Sequence, residues 1–68
     1  MDYTNEMLRL HKQGPNGMEV YNISVDRGMI LLESGPMGGR THRVMNPLSE
    51  KPRVDRLVQS LLEQGYAP

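Results

Sequence analysis

The stretch KPRVDRLVQSLLEQGY, residues 51–66, has the periodicity of a single regular structure. Val54, Leu57, Val58, Leu61 and Leu62 recur at i, i+3, i+4, i+7 and i+8, which gathers them on one stripe of an α-helix, with Arg53, Asp55, Arg56, Gln59 and Glu63 on the other side. Ser49 is the expected N-cap, and Pro52 falls in the first turn, where its missing N–H costs little. Gly65 ends the helix, because glycine enters the left-handed conformation of a C-terminal cap without a steric clash and returns Tyr66 to the last apolar turn. Such a stripe needs an apolar surface to cover, and the preceding residues must supply it.

They read as strands. Residues 1–6 are polar and without period, and are expected to form a loose arm. Leu8 and Leu10 alternate with Arg9 and His11 in a first strand over residues 7–12, which Gly14-Pro15-Asn16-Gly17 breaks as a turn. In the second strand, residues 18–25, Tyr21, Ile23 and Val25 share the core face with Glu19, while Val20, Asn22 and Ser24 point away. Asp26-Arg27-Gly28 suits a three-residue hairpin loop with Gly28 left-handed. The third strand, residues 29–33, is apolar on both parities, as expected of a central strand covered on both faces, and its second face is a candidate partner surface. After the glycine-rich break Ser34-Gly35-Pro36-Met37-Gly38-Gly39, residues 40–46 alternate as a fourth strand, with Thr41, Arg43 and Met45 opposite Arg40, His42 and Val44. The break lacks the Gly-Lys-Ser/Thr ending and following helix of a phosphate-cradling loop. The resulting expectation is an α+β fold, a meander of about four antiparallel strands with one C-terminal α-helix on one face.

A chain of 68 residues has room for one domain and a small core. With no Cys, Trp or Phe, that core must be built from Leu, Val, Ile, Met and Tyr, and thiolate metal sites and disulfides are excluded. His11 and His42 stand apart in strand-like runs, too few for a metal set and without an adjacent carboxylate to activate a nucleophile, so neither an enzyme nor a metal or other cofactor is expected. The acidic start MDYTNEMLRL is unlike a signal peptide, and no run approaches membrane-spanning length, which leaves a cytoplasmic protein as the default expectation.

The order of features resembles the WGR domain, a small nucleic-acid-associated module named for Trp-Gly-Arg and found in poly(ADP-ribose) polymerases and short bacterial proteins. In that family an aromatic-x-Ile-x-aliphatic strand leads to Trp-Gly-Arg-Ile/Val-Gly, a basic strand and a helix often closing on Lys-Gly-Tyr. Here Tyr21-x-Ile23-x-Val25 is followed by Ser34-Gly35-Pro36-Met37-Gly38, by residues 40–45 and by Gln64-Gly65-Tyr66. The resemblance implies a single WGR-like domain over residues 7–68. Ser34 stands where the Trp would be and Pro36 where the Arg would be, so the family's contacts through those two residues do not carry over.

The chain carries no net charge, but residues 40–56 hold Arg40, Arg43, Lys51, Arg53 and Arg56 against Glu50 and Asp55, a local +3. Together with His42 these cations are the candidate nucleic-acid contacts, and the binding expected of them is phosphate-led, salt-sensitive and indifferent to sequence. The rival expectation is a protein-interaction or structural module using a sheet edge or the face around Val20, Met29 and Leu31, with a protein partner or a second copy. The stripe argument makes its own forecast: Leu61→Ala should destabilise the domain by ~2 to 5 kcal/mol, read as a lowered thermal melt, and an unchanged melt would remove the stripe from the core.

Overall fold

The computed structural model describes residues 2–68. Four antiparallel strands follow one another across a single sheet, β1 (Leu8–Gly14), β2 (Gly17–Asp26), β3 (Met29–Pro36) and β4 (His42–Pro47), and the helix α1 (Lys51–Glu63) closes the chain over one face. This is the α+β meander with one C-terminal helix that the periodicities predict.

Register fixes which side chains meet the helix. Leu8 pairs with Ile23, Leu10 with Tyr21, Ile23 with Leu32 and Val25 with Ile30, so a single apolar surface runs across three strands. Leu10, Ile23 and Ile30 are fully buried under Val54, Val58 and Leu61 of α1, while Leu57 and Leu62 pack at the margin. The predicted division of β2, with Tyr21, Ile23 and Val25 inward, holds. The second face of β3 differs from expectation: Met29 and Leu31 are only half-buried, and no further element of the described residues lies over them.

The first two β-hairpins are tighter than their sequences suggest. Gly14 pairs with Gly17 across Pro15 and Asn16, and Asp26 pairs with Met29, which leaves Arg27 and Gly28 alone in the second turn. Both of those residues take positive φ, 53° and 77°. A two-residue connection of this hand follows the right-handed twist of its strands, and that gain outweighs the steric cost of a non-glycine residue at positive φ.

The helix ends are asymmetric. Ser49 is not the cap. It lies inside a 3-10 turn, Leu48–Glu50, and Glu50 precedes α1 without a side-chain capping bond. Pro52 stands in the first turn as expected. At the other end Gly65 takes φ 101°, its N–H donates to the Leu62 carbonyl at 3.1 Å, and the Tyr66 N–H donates to the Leu61 carbonyl at 3.0 Å. The reversal lays Tyr66 edge-on against Tyr21, with ring centroids 5.5 Å apart. The next residue pairs with β1: the His11 N–H donates to the Ala67 carbonyl at 2.9 Å, and the Ala67 N–H returns a bond to His11 at 3.0 Å.

The loose arm expected over residues 1–6 needs correction, apart from Met1, which lies outside the described residues. Tyr3 is 2% exposed and belongs to the core cluster, and its hydroxyl donates to Asp55 Oδ1 at 2.7 Å. Lys51 Nζ lies 5.5 Å from the ring centroid and donates to Asp55 Oδ2 at 2.9 Å. Burial pushes the Tyr3 hydroxyl well above the ordinary tyrosine range, and the bond to Asp55 and its negative charge push in the same direction. Asp55 moves down, held ionised first by the Tyr3 hydroxyl and then by Lys51.

These shifts set opposite pH windows. A raised tyrosine contributes stability that is fully present below about pH 10 and is lost as the phenolate forms above it; a lowered aspartate contributes stability above about pH 4 that is lost on further acidification. Tyr3→Phe should cost about 1 kcal/mol near neutral pH through the lost hydrogen bond. It should also flatten the fall of the melting temperature above pH ~10, leaving the part due to Tyr66, whose hydroxyl burial also raises. Melts from acid to alkaline pH check both, and an unaltered alkaline limb would remove Tyr3 from the linkage.

Candidate binding surface

The uncovered face of the sheet carries two rows of different chemistry. Arg9 pairs with Asn22, Asn22 with Glu33 and Glu33 with Arg43, so four polar residues line up across all four strands. Arg9 Nε donates to Asn22 Oδ1 at 2.9 Å, and Arg43 Nη2 donates to Glu33 Oε2 at 3.4 Å. Two residues along, Ser24, Leu31 and Met45 form the next row, with Met29 beyond Leu31 on the same face. Met45 is 54% exposed.

On the other side of the polar row from Leu31, beside the buried Val20, the same face opens into a hollow of about 130 Å³. Arg9, Val20, Asn22, Glu33 and Thr41 line it together with five residues of the glycine-rich break, Ser34, Gly35, Pro36, Met37 and Gly38. The structure redraws that loop. Ser34, Gly35 and Pro36 continue β3 opposite Tyr21, Val20 and Glu19, and the Met37 N–H donates to the Met18 carbonyl at 2.8 Å. The chain turns only after Pro36, so β4 begins at His42 rather than at Arg40. Gly35 permits this path. Its φ is 147°, and a Cβ built on it would lie 2.5 Å from the Arg40 carbonyl oxygen, so the returning chain passes where a side chain would stand.

The six candidate cations do not gather on one surface. Arg43 stands on the uncovered face, Arg40 lies in the loop that leads into β4, and strand alternation turns His42 toward the helix side with Val44. Lys51, Arg53 and Arg56 belong to α1, which packs on the opposite face. Three of the six are paired: Arg43 with Glu33 at 3.4 Å, Lys51 with Asp55 at 2.9 Å and Arg53 with Glu50 at 3.7 Å. Arg40 and Arg56 have no ion pair among the described residues. Arg9, absent from the sequence-derived set, joins Arg43 on the uncovered face, a position legible only once the register of β1 against β2 is known.

No group of three or more His, Cys, Asp or Glu side chains arranged to hold a metal occurs among the described residues, and none of their helices is long and apolar enough to cross a membrane. The chain matches no protein-family model, no curated protein and no solved structure.

The polar row should be a solvated feature rather than a structural strut, since exposed ion pairs contribute ~0 to 1 kcal/mol. A double-mutant cycle of Glu33→Ala and Arg43→Ala should give a coupling below about 1 kcal/mol in denaturant melts. A larger value would mean that the row holds the sheet as a unit.

Proposed function

We propose that this domain is a protein-interaction module whose working surface is the uncovered face of its sheet. The observation that carries this reading is the apolar group Met29, Leu31 and Met45, which stands on a face that no other element of the described residues covers. Apolar surface left in water forgoes ~25 cal/mol per Å², so a partner that covers this group gains on one face what α1 gains on the other. Exposed apolar patches rimmed by polar groups mark interaction surfaces, and the row from Arg9 to Arg43 supplies such a rim.

Two further observations support a protein partner over nucleic acid. Tyr3, Tyr21 and Tyr66, the only aromatic residues, all pack in or against the helix-side core, so bases would find no stacking platform on the uncovered face. Half of the candidate phosphate contacts already have carboxylate partners. The WGR-like frame enters this proposal as a scaffold only, because Ser34 and Pro36 stand where that family's Trp and Arg would act.

A photo-crosslinking residue at Met45 should yield discrete protein adducts in cells of the source organism, while the same residue at Gln59, on the solvent side of α1, should yield none. Leu31→Glu should abolish the Met45 adducts and leave the melt close to wild type, because Leu31 lies outside the helix-side core. Phosphate-led binding through Arg40 and Arg43 makes a different forecast: duplex or single-stranded oligonucleotides bind at low salt, and each Arg removed lowers the salt slope for duplex by ~0.9. That outcome, without protein adducts, would overturn the proposal.

A further inference from the structure

We infer that the partner enters as an extended acidic segment that adds to the outer edge of β4 as a fifth strand, an inference that rests on the protein-interaction reading above. The sheet has two outer edges, and they differ. On β1 the His11 amide and carbonyl are both occupied by Ala67, which closes that edge at its middle. β4 pairs only with β3, and no strand lies beyond it among the described residues. A row of unpaired backbone donors and acceptors in an exposed edge strand is a template for another chain.

Side chains on β4 indicate what that chain must bring. Val44 is 41% exposed on the helix side and Met45 54% exposed on the other, so two successive residues present apolar surface to opposite faces. An added strand also alternates, and two successive apolar residues in it would cover both. Around them the charge has one sign. Arg40, His42 and Arg43 stand on or just before the strand, and no acidic residue occurs between Glu33 and Glu50. The single carboxylate that reaches this group, Glu33, holds Arg43 at 3.4 Å in an exposed pair that an incoming carboxylate can replace.

The same charges decide between a second copy and a different chain. Antiparallel pairing of β4 with its own copy, centred on Val44 so that the apolar residues meet, would set Arg43 opposite Met45 and His42 opposite Asn46, and the copy would bring no carboxylate to Arg40 or Arg43. Cationic residues on an edge therefore discourage self-pairing and favour an acidic strand. Pro47 has no N–H to donate, so the added ladder runs from Asn46 back to His42, five residues at ~3.3 Å each. The fitting segment has two adjacent apolar or β-branched residues flanked by Asp or Glu.

A random dodecapeptide library displayed on phage and selected on the full chain tests this directly. Selected peptides should be acidic around an apolar pair, and on titration they should slow hydrogen exchange of β4 amides. N-methylation of one alternate set of peptide residues should abolish binding, and methylation of the other set should be tolerated. Arg40→Glu with Arg43→Glu should weaken binding at least tenfold, and added salt should weaken it further. The peptide variants leave the protein untouched, so the result does not depend on the folding of a mutant. Neutral or basic selected peptides, exchange protection away from β4, indifference to N-methylation, or no selected peptide at all would overturn the inference. If Met45 adducts persist in cells while any of these outcomes is found, the edge mode fails and the interaction reading stands; if the Met45 adducts are also absent, both fail.

Discussion

Thirteen helical residues have to cover one face of a four-stranded sheet, and most of the structure follows from that coverage. A helix of this length is about 20 Å long, and four strands at ~4.8 Å spacing make a surface of comparable size, so one helix serves one face and leaves nothing for the other. The apolar residues obey this geometry. Leu10, Ile23 and Ile30 on the three consecutive strands β1 to β3 meet Val54, Val58 and Leu61, whereas all of β4 except Asn46 is exposed. Tyr3 adds aromatic volume to a core that otherwise has only aliphatic side chains at full burial, and Asp55 with Lys51 fixes its polar end.

Coverage also explains where reading the sequence succeeds. Helical period and strand alternation are responses to burial on one side, so residues that face the helix announce themselves: the stripe in α1 and the inward set Tyr21, Ile23 and Val25 are legible from residue spacing alone. The left-handed cap at Gly65 is legible for a local steric reason. Features decided by pairing between distant segments are not. Tyr3 lies in a polar, aperiodic stretch, and Asp55, which accepts its hydroxyl's hydrogen bond, is 52 residues away. Ser34-Gly35-Pro36 reads as a break because Gly and Pro weaken strands, yet register with β2 keeps all three in β3. Ser49 has the chemistry of a cap but is consumed by a 3-10 turn, and Arg27 takes a positive φ that hairpin twist demands and its own side chain disfavours.

The candidate surface is legible in part for the same reason. Arg40, His42 and Arg43 are visible as a basic run, but a run of residues in a strand is divided between two faces, and only Arg43 reaches the uncovered one. The helix cations sit a layer away, on the far side of the sheet from Arg43. The polar row from Arg9 to Arg43 takes one residue from each strand and has no trace as a motif, because its members are neighbours only through register. Pairing therefore creates the uncovered surface as much as composition does.

The joining of Tyr3 to Asp55 and of His11 to Ala67 bears on how the molecule is made. Both ties span most of the chain, and the helix that the sheet requires follows the last strand. On the ribosome the meander emerges first, with Leu10, Ile23 and Ile30 in water, and its cover arrives afterward. Contacts so far apart in sequence cannot close stepwise during synthesis, so the nascent sheet carries two exposed apolar faces until residues 54–67 clear the exit tunnel. For that interval the apolar surface that α1 will bury stays open to contact with other chains.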